Sequence, residues 1–131
     1  MSYSTTQSNN GRDAAAGMQA GSAALLSASS VIGDDVRNMR DEDLGKIHDI
    51  MLDTNEGEIR YAVLASGGFL GMGDRLFAIP WKSLKQDKEN KRFLLDIDAD
   101  RLKDAPGFDK DNWPNMADPT YSSSVDSYYI R

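Results

Sequence analysis

Residues 46–66 read Lys46-Ile47-His48-Asp49-Ile50-Met51-Leu52-Asp53, then Thr54-Asn55-Glu56-Gly57, then Glu58-Ile59-Arg60-Tyr61-Ala62-Val63-Leu64-Ala65-Ser66. Two apolar runs flank a stretch whose Asp, Asn and Gly residues suit a chain reversal, which is the pattern of a β-hairpin. The first run places apolar residues on both faces, as expected of a strand bending within a small barrel. Downstream, Arg75-Leu76-Phe77-Ala78-Ile79-Pro80-Trp81 reads as a strand whose Pro80 belongs at a strand end or edge. Residues 81–84 turn away, residues 85–91 read as a solvated turn, and residues 92–97 as the final strand. Asp98 is placed to cap a short helix over residues 99–103, ended by Pro106-Gly107. Upstream, Val31-Ile32-Gly33 and Val36-Arg37-Asn38-Met39 open the strand series. Asp41, Glu42, Asp43 and Gly45 punctuate it. The fold class expected is mainly β, a small barrel of five to six short strands with a short helical turn and a C-terminal helical tail. Closure would remove the edge strands.

Residues 29–105 hold 21 of the 26 Leu, Ile, Val and Phe residues, so the core lies in the middle of the chain. Residues 1–28 take 15 of their number from Gly, Ser and Ala, too little apolar surface to offset ordering entropy, and are expected to form a disordered arm. The folded domain then spans residues 29–108 and a tail spans 109–131. In that tail Asp118-Pro119 is an N-cap and N1 pair, and Tyr121, Val125 and Tyr128 fall at i, i+4 and i+7 on one helical face. That face, with Trp113 and Met116 ahead of it, suits docking either on the chain's own barrel or on a partner's.

The absence of cysteine excludes a disulfide framework, a thiolate metal cluster and a cysteine nucleophile. A single histidine leaves little for acid–base or metal chemistry. The net charge of −6 argues against a surface built to neutralise phosphates, so no direct nucleic-acid partner is expected. The first residues lack the basic start and long apolar stretch of a secretory signal, and no run approaches the length of a membrane span. A cytoplasmic location is expected.

Several segments together carry a family likeness: Ala28-Ser29-Ser30-Val31-Ile32-Gly33, Val36-Arg37-Asn38, Leu44-Gly45-Lys46-Ile47, Asp49-Ile50-Met51-Leu52-Asp53, the glycine-rich loop from Gly67 to Gly73, and Ile79-Pro80-Trp81. In order and spacing they resemble the PRC-barrel family, the small β-barrel of H subunits in purple-bacterial photosynthetic reaction centres, of a ribosome-maturation factor and of many stand-alone bacterial proteins. The resemblance covers residues 29–108, and the tail is similar to those of stand-alone members. It implies an assembly or interaction module with no shared catalytic motif. These residues show no stretch resembling the membrane-spanning helix of the reaction-centre subunit or the extra N-terminal domain of the ribosome factor, so neither specialised role is expected to transfer.

Each candidate for chemistry has a plainer reading. The glycine loop fails the P-loop template at Asp74 and does not give G-x-G-x-x-G, so it reads as a tight β connection. Phe69, Leu70 and Met72 at its tip form a contact surface if exposed, or a barrel plug if turned inward. Asp96, Asp98 and Asp100 have the first spacings of a calcium loop, but Arg101 and Gly107 stand where Gly and Glu are needed. No metal and no cofactor are expected. His48 would need a positioned partner and a cleft to act in catalysis. Lys82, Lys85, Lys88, Lys91 and Arg92 form the one basic concentration, interrupted by Asp87 and Glu89, and read as a solvated hairpin. Trp81, Trp113, Tyr121 and Tyr128 join Phe69, Leu70 and Met72 as candidate contact residues, since aromatics favour interfaces. The expected function is a non-enzymatic interaction or assembly module, self-associating as a homodimer and acting in stress, with its partner unidentified. The alternatives are a small-ligand-binding barrel or an enzyme using the barrel mouth, and, third, a ribosome-associated factor.

Overall fold

The computed structural model describes residues 25–67 and 75–130. The expected arm lies outside the described residues up to residue 24, and so does the loop carrying Phe69, Leu70 and Met72. The described chain opens with a correction. The Ser27 hydroxyl accepts the Ser30 amide at 3.3 Å and caps α1 (Ala28–Val31), a single helical turn that takes in Val31, where a strand was expected to open, and Ala28, which was expected in the arm along with the core-packed Leu26. Four residues are too few to show a helical period, so the capping serine was the one available signal.

Seven strands follow among the described residues, in place of the expected five to six. They are β1 (Asp35–Arg37), β2 (Asp43–Asp53), β3 (Glu58–Ser66), β4 (Arg75–Pro80), β5 (Leu84–Asp87), β6 (Arg92–Leu95) and β7 (Gly107–Phe108). Their order in one sheet is β5-β6-β1-β2-β3-β4-β7, antiparallel throughout except for the parallel pair β1 and β6. The sheet is not closed by hydrogen bonds. β7 contributes only two residues to the β4 edge, and β5 forms the other edge, guarded by the exposed Lys85. The expected turn over residues 85–91 is corrected in its first half: Lys85, Gln86 and Asp87 pair with Leu94, Phe93 and Arg92. An edge strand with one half-buried face carries enough polar residues to look like a loop.

The β2–β3 hairpin forms as its residues predict. The Asp53 carboxylate accepts the amides of Asn55 and Glu56 at 3.0 and 3.1 Å, and Gly57 takes a φ of +73° as the chain reverses. Two apolar faces on β2 arise from a bulge. Its register against β3 shifts between Ile47 and Asp49, so residues three apart, Ile47 and Ile50, both reach the same core. Pro80 ends β4, and a 3₁₀ turn (Trp81–Ser83) leads into β5.

The sheet buries both faces at its centre. On one, Val36, Leu44, Ile47, Leu64, Phe77 and Phe93 form the larger core. On the other, Tyr61, Val63, Leu76, Ala78 and Phe108 form a second, smaller core with Val125 of the tail. This explains why β3 runs apolar over Tyr61-Ala62-Val63-Leu64 instead of alternating. The tail cover is α3 (Pro119–Tyr129), whose first turn is capped by the Asp118 carboxylate accepting the Thr120 amide at 3.0 Å. The tail therefore docks on its own sheet, with Val125 wholly buried and Tyr121 and Tyr128 half-buried on its flanks.

Asn38 ties the two ends of the larger core together. Its buried amide donates to the Ile97 carbonyl at 3.0 Å and to Glu42, while its oxygen accepts the amides of Arg40 and Glu42 at 3.0 and 2.9 Å. Every bond that this side chain can make inside the protein is thus used, as burial of an amide requires. Asp98 stands at the N-cap of α2 (Ala99–Lys103) as predicted, but its carboxylate is engaged by Arg40 at 2.8 Å and makes no side-chain capping bond.

Candidate functional site

An open groove of about 500 Å³ runs between the β2–β3 hairpin and the stretch from Trp81 to Gln86. Ile50, Leu52 and Ile59 form the hairpin bank, Trp81 and Leu84 the opposite one, and Phe93 lies between them. Gln86 is its one polar residue; Leu25 and Leu26, where the described chain begins, close one side. Pro80 turns the backbone out of β4, and the following indole comes to rest half-buried with its ring 5.6 Å from Phe93. Leu25 and Leu52 remain 74% and 66% exposed beside this apolar surface. Water is left against a mainly apolar surface, an arrangement that marks contact sites on proteins.

On the other side of the hairpin is a second groove of about 560 Å³, lined on the tail side by Trp113, Pro114 and Met116 and on the sheet side by Met51, Leu52, Arg60 and Tyr61, so that Leu52 borders both. Trp113 keeps 36% of its surface exposed. Its indole N–H donates to the Lys110 carbonyl at 2.8 Å, and its ring lies 5.2 Å from Phe108 and 6.4 Å from the exposed His48. Its polar edge is therefore satisfied within the tail while its face spans the sheet and the solvent.

The other two predicted aromatics face inward. Tyr128 donates its hydroxyl to the Arg101 carbonyl, and the Arg101 guanidinium stacks 4.4 Å above the Tyr128 ring while donating to its carbonyl at 3.2 Å. This clamp holds the end of α3 to α2. Tyr121 packs on the second core, and its hydroxyl, like that of Tyr129, is buried without a hydrogen-bond partner. Burial pushes the pKa values of Tyr61, Tyr121 and Tyr129 upward. Raised folded-state values mean that their contribution to stability is complete below the ordinary tyrosine pKa near 10 and is lost as pH rises above it. Urea unfolding is expected to show stability falling above about pH 10, by up to about 1.4 kcal/mol per pH unit from Tyr129 alone. Tyr129→Phe should flatten that slope; a wild-type curve already flat across this range would contradict the account.

Among the described residues, several acidic side chains are taken up by ion pairs. Asp98 pairs with Arg40 and Asp100 with Lys103, and among the described residues no three His, Asp or Glu side chains gather as a metal site. His48 borders a third open cavity, of about 460 Å³, beside Lys46 and Asp43. Asp35 is held below the usual carboxylate range by hydrogen bonding to Lys46, Glu42 by Asn38, and Asp87 by Asn90 and then Arg92. The sequence reading missed Leu25, Ile50, Leu52, Ile59 and Leu84 as a surface. Its one signal was Leu52, an apolar residue set beside a polar turn.

The comparisons with known proteins bear on this geometry. Residues 25–102 match the profile of the PRC-barrel domain. A search of curated proteins found no match. Among solved structures, the chain is similar to the crystal structure of a 16S ribosomal RNA processing protein, RimM, from Pseudomonas aeruginosa, at 19% sequence identity and a TM-score of 0.39. The likeness covers 57% of this chain and 45% of that one, and at that score it carries no argument about function.

Proposed function

The chain belongs to the PRC-barrel domain family, and from that premise we propose that it is a non-enzymatic protein-contact module whose working surface is the groove between the β2–β3 hairpin and β5. The observation that supports this reading most is the composition of the groove: a single polar residue, Gln86, among aliphatic and aromatic side chains, with Leu52 standing exposed on its rim. Protein contacts are made by apolar centres of this kind surrounded by charge. A small-ligand site of the same volume needs convergent polar groups for orientation, and this groove offers one amide. The ligand-binding alternative fits the second groove better, where Arg60, Asn55 and Asn115 meet Trp113.

The test is a photo-crosslinking residue placed in cells at position 86, which lines this groove and not the second, and, as control, at the exposed position 100 on α2. Position 86 should yield discrete protein adducts at several times the level of position 100. Equal or absent adducts at position 86 would remove the groove as a contact surface.

A further inference from the structure

We propose that the second groove, between the β2–β3 hairpin and the tail, binds a small aromatic monocarboxylate, with Arg60 holding the carboxylate and Trp113 the ring. Its position follows from a bulge in β3. Met51 pairs with Tyr61 and Leu52 with Ile59, which leaves Arg60 as an extra residue with no counterpart across the ladder. In a regular strand Ile59 and Tyr61 would share a face and Arg60 would take the other. Here Ile59 lines the contact groove, whereas Arg60 and Tyr61 both line the second one. The bulge thus brings an exposed guanidinium to the tail side, where it lies 5.2 Å from the centre of the Tyr61 ring.

That guanidinium is unspent. Arg37, Arg40, Arg75 and Arg92 each pair with a carboxylate, and Arg101 is taken by the Tyr128 carbonyl and ring. Among the described residues Arg60 is the one arginine with neither a carboxylate nor a carbonyl against it. The neighbouring acceptors are in use: one oxygen of the Asp53 carboxylate takes the amides of Asn55 and Glu56, and the Asn115 side-chain oxygen takes the Ala117 amide at 3.1 Å. That last bond fixes the Asn115 amide and leaves its NH2 group as a donor with no acceptor among the described residues. A groove whose unspent groups are N–H donors selects an acceptor, and a planar carboxylate matches the guanidinium fork. Asp53 sets the limit on charge. It offsets Arg60 in the lining, and the chain as a whole carries −6, so a phosphate or a dicarboxylate is disfavoured. The apolar lining supplies the other half of the site. The Trp113 N–H is bonded to the Lys110 carbonyl, so the indole offers ring surface, and Met51 and Met116 add polarisable thioethers that pack well on aromatic rings. At about 560 Å³ the groove has room for such a molecule.

Titrating the full chain with phenylacetate, followed by NMR, should give saturable shifts at the Trp113 indole N–H and the Asn115 side-chain amide, with a Kd on the order of 1 mM. Phenylacetamide, which keeps the ring and lacks the charge, and inorganic phosphate should each bind at least about tenfold more weakly. Arg60→Met should weaken phenylacetate binding by about tenfold or more with the melting curve unchanged, since that side chain is exposed, and Arg60→Lys should restore only part of it. Crosslinks from position 86 read the contact groove alone, so failure of either reading leaves the other standing. No saturation up to about 50 mM, phenylacetamide or phosphate binding as tightly as phenylacetate, or an Arg60→Met chain that binds like the unaltered one would overturn the proposal. So would shifts gathered at the Trp81 indole, which would give the ring to the contact groove.

Discussion

Gly45→Ala is expected to destabilise the protein by about 3 kcal/mol or more, the largest effect of any single methyl group added to the described sheet. Gly45 has a φ of +137°, which L side chains rarely adopt. A Cβ at that position would lie 2.2 Å from the Ala65 carbonyl oxygen and 3.0 Å from the Ala65 carbonyl carbon and the Ser66 Cα. All three atoms are backbone of β3, so no rotamer change relieves the contact. Relief requires β2 to move away from β3, next to the Lys46–Ala65 pair where their ladder begins. Gly57 is the control. Its φ of +73° is also positive, but a Cβ there would meet nothing within 4 Å, and Gly57→Ala should cost about 1 kcal/mol from backbone strain alone. Urea unfolding of both variants separates the two contributions, and equal losses would mean that the close approach of β2 and β3 is not what requires glycine at position 45.

That approach was only partly legible in the residues. Gly45 stands in the sequence as punctuation between Leu44 and Lys46 and looks like a turn, yet it lies inside an eleven-residue strand. What makes it necessary is a backbone twenty residues away. The same distinction runs through the fold. The β2–β3 turn and the capped tail helix were readable because their signals are local: an Asp that bonds the amides following it, and a Pro fixed in the first helical position with apolar residues spaced behind it. β5 was not, because an edge strand buries one half-face and its polar residues obscure the alternation. The expected closure was a statement about strand neighbours, which no periodicity encodes. The groove was illegible for a similar reason. Leu25, Leu52 and Leu84 are about thirty residues apart in the chain, and each is ordinary alone. One long-range fact was present and passed over. β3 is apolar on both faces from Tyr61 to Leu64, which requires a cover on the far side, and the helix with Val125 on its face was the available candidate.

That pairing sets the second large expectation: Val125→Asp should release the tail from the sheet. Val125 is wholly buried against Tyr61, Val63, Leu76 and Ala78, with Met116, Tyr121 and Tyr129 packed around the same core. Its removal from water contributes about 1.5–3 kcal/mol. A carboxylate in its place would be left without a hydrogen-bonding partner in that apolar setting, at a cost above the lost burial. A loss of about 3 kcal/mol in docking raises the exposed fraction of the tail roughly a hundredfold, and limited proteolysis should show cleavage within residues 109–130 accelerated to that degree. Ser123→Asp, on the exposed face of the same helix, should leave the rate unchanged. The larger core on the opposite face of the sheet takes Tyr128 and Tyr129 from the tail only at its margin and is built on Val36, Leu64, Phe77 and Phe93, so the strands should persist after the tail lets go. Release would then bare Tyr61, Val63 and Phe108 together, a patch able to drive association of its own. For the same reason a chain cut after Phe108 is a poor probe of whether the tail mediates assembly: the cut exposes a face that the intact protein keeps covered. If Val125→Asp resists protease as the unaltered chain does, α3 is held by the Arg101–Tyr128 clamp and not by the outer core, and Arg101 is the residue whose loss should then free the tail.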